Sequence, residues 1–346
     1  MTVYSGIDLH SNNNYVCVID QYDQRLLDVK LDNDALKVID ALSPYKSSLK
    51  SVAVESTFNW YWLVDALIAH GFTVELVHTA AVKQYSGLKH TNDKTDAFHL
   101  AQLLRLGILP TGYIYPKEYR GLRDLLRKRM QLVNQRTRNL LSLKTQYTRV
   151  TGLNISSNDI KKKNFRLPAV DDPNIAIAIA IAIAMQANLE LILFISRQVK
   201  RIEQVISKQL EPVPRLALLQ SISGIGPILS ETIMLETGDI HRFKSPGRFA
   251  SYCRCVGSKK VSNGKTKGYN NRKNGNRYLA WAFVEAANLA KAHSAAARRF
   301  FERKKAKTNT ALATKALAHK LARACYYIMT DGAPFNEKLC FGGTGD

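Results

Sequence analysis

The chain opens on short runs of β-branched and aromatic residues broken by polar turns. "VYSGIDLH" (3–10), "YVCVID" (15–20) and "RLLDVKL" (25–31) are separated by polar stretches at 11–14 and 21–24. That spacing predicts a three-stranded antiparallel meander. A helical period follows at 33–42, then a buried-strand run, "KSVAVES" (50–56). A helix at 59–70, a strand "TVELV" (73–77) and helices around 80–87 and 93–107 complete the first 110 residues. Three hairpin strands followed by right-handed crossovers predict a mixed sheet with helices on both faces.

Beyond residue 110 the pattern is helical. Residues 117–150 carry Leu122, Leu125, Leu126, Val133, Leu140, Leu141 and Leu143 in a broken helical period, with Arg and Lys crowding the other face. A polar, proline-containing linker is expected at 151–173. The alternating "IAIAIAIAIA" that begins at Ile175 has the period of a strand. Alanine's preference and the helical spacing of "NLELILFISRQVKRIEQVISKQL" make it a helix instead. "GIGP" (224–227) sits between two apolar helical stretches and reads as a helix-hairpin-helix. Residues 259–273 show no buried pattern and predict an exposed basic loop, with an amphipathic helix from Arg277. The expected organisation is an α/β domain at 1–110, a basic helical or coiled-coil region at 111–212, and a helical domain at 213–346.

Composition adds one strong signal. The chain has 346 residues and a net charge of +22, unevenly spread. Residues 1–110 hold 9 basic and 12 acidic side chains, the remainder 41 and 16. An excess of that size in the C-terminal two-thirds points to a polyanion, and the absence of one short basic amphipathic helix favours nucleic acid over a membrane surface. No signal-peptide pattern is present, and the run at 175–185 alone is too short and alanine-rich to span a bilayer. The five cysteines are scattered apart from Cys253 and Cys255, which lack a second pair at zinc spacing and read as reduced core thiols. A cytoplasmic protein is expected.

The chemistry gathers at four acids. Asp8 ends the first strand in "GIDLH", and Glu55 ends the fourth in "AVEST". Asp93 and Asp96 lie three residues apart in "DKTDAFHLA", on one face of the helix that packs across that sheet edge. Any one of these is an ordinary cap or turn residue. Four together repel unless a cation sits among them, and hard divalent ions such as Mg²⁺ or Mn²⁺ take oxygen ligands of this kind. Two such ions about 3.5–4 Å apart can clamp the attacking and leaving oxygens of a phosphodiester.

"GIDLH", "AVEST" and "DKTDAFHLA" resemble the D–E–D–D tetrad of RuvC-like (RNase H-fold) nuclease domains. The resemblance is closest to the DEDD-motif insertion-sequence transposases, the group that includes the Piv-type DNA invertases. It extends to a second block at 218–290. The resemblance implies that Asp8, Glu55, Asp93 and Asp96 are metal ligands and catalytic. It also implies a serine nucleophile in the basic segment "KKVSNGK", which is Ser262. Family members carry a Ser–Gly dipeptide there, whereas Asn263 follows here, so Ser258 stays open as a second candidate. Phosphate or base contacts are expected from Gly224, Gly226, Lys259, Lys260, Lys265, Lys267, Arg272, Lys273, Arg277, Arg123, Arg127 and Arg136. The family further implies DNA donor and target, a structured bridge RNA, and a homo-oligomer with composite active sites in the bacterial or archaeal cytoplasm, at the nucleoid. Three other readings are a two-metal endonuclease of the Holliday-junction-resolvase kind, a sugar kinase or ATPase of the actin-like fold, and a non-enzymatic nucleic-acid-binding protein. The kinase reading lacks a second glycine-rich phosphate loop.

Overall fold

Alternation of side chains along each strand decides how the N-terminal unit is layered. The computed structural model describes residues 1–82, 92–162, 164–170, 174–211, 213–257, 259–269 and 274–342, divided into two units, Met1–Ile114 and Tyr115–Asp346. In the first unit β1 (Val3–Leu9), β2 (Asn13–Ile19) and β3 (Arg25–Asp32) form the meander. Then come α1 (Ala35–Leu42), β4 (Leu49–Glu55), α2 (Tyr61–Ala69), β5 (Val74–Val77), α3 (Thr79–Val82) and α4 (Asp93–Arg105). The expected helix at 80–87 falls largely outside the described residues.

The sheet order is β3-β2-β1-β4-β5, with β4 and β5 parallel to β1 and the meander antiparallel. One face, with Ile7, Leu9, Val16, Val18, Val52 and Val54, packs with Val38 and Leu42 of α1 and Leu63, Val64 and Leu67 of α2. The other carries Cys17, Ile19, Ala53 and Val77 against Ala97, Leu100 and Ala101 of α4. Gly6 lies on this second face. A Cβ at Gly6 would stand 2.1 Å from the Ala97 carbonyl oxygen and 2.7 Å from the Ala101 nitrogen. The missing side chain lets the helix backbone rest directly on β1.

In the second unit α5 (Lys117–Thr151), α6 (Ser157–Ile160) and α7 (Ile175–Leu210) come first. α5 and α7 pack antiparallel: Arg129 pairs with Glu203 at 2.6 Å, Arg136 Nη1 donates to Ser196 Oγ at 3.3 Å, and Asn188 Nδ2 donates to Gln146 Oε1 at 2.9 Å. Met185, Leu189 and Ile192 meet Leu140 and Leu143 between them. The "IAIA" run is helical, as alanine's preference predicts. By length and composition α7 is long and apolar enough to cross a membrane, and only 17% of its most apolar 18-residue stretch is buried. The expected linker at 151–173 is more than a linker. Ile155, Ile160, Phe165, Leu167 and Val170 pack onto the α5–α7 core, because apolar residues recur through an otherwise polar stretch.

The rest of this unit comprises α8 (Pro214–Gln220), α9 (Pro227–Thr237), α10 (Pro246–Tyr252), β6 (Lys259–Ser262), β7 (Lys265–Tyr269), α11 (Arg277–His293), α12 (Ala295–Lys307), α13 (Thr310–Asp331) and α14 (Glu337–Phe341). Its core holds Phe249, Phe283, Leu317, Leu321 and Ile233. Cys253 and Cys255 are buried free thiols. β6 and β7 pair as an antiparallel hairpin where an irregular loop was expected. Asn263 and Gly264 turn it with φ of 49° and 69°, the two left-handed residues that a tight hairpin turn with right-handed strand twist demands.

Two outcomes follow from these packings. Gly6→Ala forces β1 and α4 apart, and overpacking of this kind costs about 1–3 kcal/mol. Urea unfolding should show that loss, while Gly112→Ala, with no atom closer than 3.5 Å, changes little. Glu231 of α9 is only 3% exposed, and its Oε2 has no hydrogen-bond partner. Burial pushes its carboxyl up to about 7, with Glu203 adding to the rise and Arg129 opposing it. Above its ordinary value of 4.5 the unfolded chain releases this proton, but the folded chain keeps it until about pH 7. Stability from this group is therefore lost as pH rises across that window. Glu231→Gln should melt a few degrees higher than wild type above pH 7 and match it near pH 4.5.

Candidate active site and nucleic-acid interface

Register and pleat bring the first two acids together. Gly6 pairs with Ala53 and Ile7 with Val54 across parallel β1 and β4, so Asp8 and Glu55 come side by side at the strand ends. Both lie on the α4 face, two residues beyond Gly6 and Ala53. Asp8 is 4% exposed and hydrogen-bonds Glu55 through its side chain. Burial, that hydrogen bond and the Glu55 charge push the Asp8 carboxyl up to about 8, with Asp96 adding to the rise and His10 opposing it. Two carboxyls this close share a proton when nothing positive stands between them.

The other two acids arrive on α4. Asn92 caps that helix: its Oδ1 accepts from Thr95 N at 2.9 Å, and Thr95 Oγ1 accepts from Asn92 N at 2.8 Å. This reciprocal box pins the first turn, which carries Asp93 and Asp96. Burial raises the Asp96 carboxyl, and Asp93 adds to the rise. Lys94 does not neutralise them. Its Nζ turns to Asp28 at 2.9 Å, a carboxylate that also takes Arg25 at 2.8 Å.

His10 completes the cluster, and the sequence reading passed over it. Its Nε2 stands 3.2 Å from Asp8 Oδ2 and 3.2 Å from Asp93 Oδ1. The only available signal was its place within "GIDLH" itself, two residues past Asp8. Asp8, His10 and Asp93 offer three donor atoms within 4.8 Å of one another, a spread that fits one small cation. His10 Nε2 is enclosed and makes no hydrogen bond. An orphaned nitrogen among crowded carboxylates suits a divalent ion, so the residues fit the metal that the acids imply.

The second unit holds the serine segment. Ser262 ends β6 beside the turn, paired with Lys265, and is exposed. Ser258, Arg272 and Lys273 lie outside the described residues. Lys259 and Lys260 lie on β6, while Lys265 and Lys267 are exposed on β7. The foot of the hairpin is clamped. Arg254 Nε and Nη2 donate to the Gly275 carbonyl at 3.0 and 2.7 Å, and Asn276 N donates to Tyr252 O at 2.7 Å.

Several expected phosphate contacts have internal partners. Arg127 makes a bidentate pair with Glu236 at 2.6 and 2.8 Å, and Glu236 is 2% exposed. Burial works against the Arg127 charge, but the Glu236 hydrogen bond and charge outweigh it and raise the guanidinium above its usual range. Arg127 is thus committed to the fold, because a buried carboxylate 109 residues away needs it. Arg136 ties α5 to α7, and Arg123 stacks on the Tyr115 ring at 3.8 Å. Arg277 is exposed at the start of α11, with Nη2 donating to Tyr278 OH at 2.7 Å. Gly224 serves packing: at φ 98° its Cβ would meet Ala290 N at 2.5 Å and Ala286 O at 2.8 Å on α11. Gly226 caps α9 with open space around it.

Two family models match separate segments of the chain. A model for DEDD transposases of the IS110 type, described as a transposase, matches residues 5–150. A second, described as the transposase IS116/IS110/IS902 family, matches residues 216–302. An insertion element IS116 uncharacterized 44.8 kDa protein from Streptomyces clavuligerus is 22% identical over 355 residues, covering 88% of each chain. The first match spans all four clustered acids and the second spans the clamped hairpin. The chain belongs to the IS110/IS116 family of DEDD transposases, enzymes that cleave and join DNA.

Proposed function

We propose that the chain is the transposase of an insertion sequence that exchanges DNA strands through Ser262, assisted by a divalent cation. The convergence of Asp8, Glu55, Asp93 and Asp96 carries this reading, since a cation among them would relieve their mutual repulsion. These four acids hold Mg²⁺ or Mn²⁺, with residues 1–110 as the catalytic domain. When bound, the cation draws charge from the phosphate oxygens and lowers the barrier to displacement.

Ser262 Oγ attacks the scissile phosphorus. A bond from Oγ to phosphorus forms as the bond to a deoxyribose oxygen breaks, and the serine proton passes to the departing oxygen. A freed hydroxyl of another strand then attacks the same phosphorus; its bond to phosphorus forms as the Oγ–phosphorus bond breaks and its proton passes to Ser262 Oγ, so no external energy is used. Exposure of Ser262 at a hairpin tip on a clamped base suits attack on a phosphate backbone. Lys259, Lys260, Lys265, Lys267, Arg272, Lys273 and Arg277 grip the flanking phosphates, and Gly226 offers the α9 N-terminus to another, as in a helix-hairpin-helix. Gly224 lets α11 approach that turn. The large cationic excess after residue 110 suits a bridge RNA pairing with donor and target DNA, within a dimer or tetramer whose sites combine metal and serine from different protomers. The protein works in the cytoplasm at the nucleoid.

Neutralising the tetrad tests the metal role. Asp8→Asn, Glu55→Gln, Asp93→Asn and Asp96→Asn should each lower strand transfer by at least about 100-fold, with DNA binding retained. EDTA should do the same to wild type, and full activity in EDTA sinks the cation reading. The serine is tested on denaturing gels of labelled DNA. Wild type should leave a protein–DNA adduct that Ser262→Ala removes together with strand exchange. Free DNA ends with no adduct would instead indicate a water-using two-metal endonuclease, and an adduct lost only in Ser258→Ala would move the nucleophile to that residue.

A further inference from the structure

His10 is positioned with more care than an incidental neighbour of Asp8 needs. Its backbone N donates to Asn13 O at 2.9 Å. Its carbonyl accepts from Asn33 Nδ2 at 3.0 Å and from Asn59 Nδ2 at 2.9 Å. Three segments of the unit therefore fix one residue: the β1–β2 turn, the β3–α1 turn and the β4–α2 turn. Between them they fix the His10 backbone, and the ring reaches Asp93 in the first turn of α4.

The ring then faces an electrostatic choice. At 3.2 Å from both Asp8 Oδ2 and Asp93 Oδ1, Nε2 makes a hydrogen bond with neither. A proton on Nε2 would be attracted to both carboxylates, whereas a bare lone pair would be repelled by both. A small cation among the three would attract the bare nitrogen and both carboxylates together. Donors about 2.0–2.2 Å from such an ion stand roughly 3–4.4 Å apart. The three donor atoms here lie within 4.8 Å of one another.

We propose that His10 Nε2 is a direct ligand of the cation bound between Asp8 and Asp93, which makes this a mixed nitrogen–oxygen site with a preference for Mn²⁺ over Mg²⁺. Imidazole suits first-row transition ions, whereas Mg²⁺ favours oxygen alone. The inference rests on reading the carboxylates as a cation site, and deepens it: the tetrad supplies charge and His10 supplies ion selectivity.

Pulsed EPR of Mn²⁺ bound to the full-length protein reads the ligand directly, without any DNA reaction. Wild type should show ¹⁴N coupling from a coordinated imidazole, and growth on ¹⁵N-histidine should convert it to ¹⁵N coupling. His10→Gln should abolish it, while His99→Gln retains it; His99, whose Nε2 is likewise enclosed and without a hydrogen bond, is the necessary control. Calorimetry should show Mn²⁺ affinity falling in His10→Gln by at least the roughly 10–100-fold that loss of an outer-shell partner costs, with a smaller loss for Mg²⁺. Bound Mn²⁺ without histidine nitrogen coupling in wild type overturns the proposal and leaves the carboxylate site standing. Coupling that survives in His10→Gln but vanishes in His99→Gln assigns the ligand to the helix and also overturns it. Failure of wild type to bind Mn²⁺ or Mg²⁺ at all removes the cation site and this inference together.

Discussion

The N-terminal unit depends on a contact made possible by an atom that is missing. A Cβ at Gly6 would drive into the backbone of α4, so only glycine lets helix and strand meet at this distance. α4 answers with alanines, Ala97 and Ala101, both fully buried. Everything chemical in the unit inherits its geometry from that approach. Asp8 lies two residues along from Gly6 on the same face, and Asp93 lies one helical turn before Ala97. A wider separation would relax the carboxylates into solvent, where each would ionise alone and none would bind an ion tightly. The close approach helps to bury Asp8, and burial, followed by the Glu55 hydrogen bond and charge, pushes its carboxyl up to about 8.

That frame was legible in the sequence because its signals are local. Short β-rich runs bounded by polar turns gave the five strands, and apolar helical runs gave the helices between them. The four acids fell at strand ends and a helix start, positions that topology alone brings together. His10 was passed over for an instructive reason. Beyond its place in "GIDLH" little distinguishes it locally, since the side chains that fix it, Asn33 and Asn59, are 23 and 49 residues away. The same holds for Arg127. A cation on a basic helix reads as a phosphate contact until its buried partner, Glu236, is known. Gly224 repeats the lesson, for its packing partner α11 lies more than 60 residues on.

The serine hairpin was missed for another reason. Its strands lack a buried face, so neither alternation nor hydrophobicity marks them. What does mark them is Asn263–Gly264, a pair suited to two successive left-handed residues. With Asn263 and Gly264 both in the turn, Ser262 becomes the last strand residue, facing Lys265 in the register. The serine is then held by the ladder, where a residue inside the turn would not be.

Rigidity at the foot of that hairpin has a distinct origin. Gly275, at φ 93°, would place a Cβ 2.4 Å from the Tyr252 carbonyl, so the two ends of the excursion approach backbone to backbone. Arg254 then closes over the Gly275 carbonyl, and Asn276 reaches from the start of α11 to Glu236 at 2.7 Å. Glu236 in turn holds Arg127 of α5. One buried carboxylate thus joins the long helix, α9 and the base of the serine hairpin. A buried ion pair of this kind adds little net stability beside a well-packed apolar alternative, but breaking it leaves a stranded charge. Its value lies in fixing orientation. The network sets how α5, α9 and the start of α11 are oriented against one another.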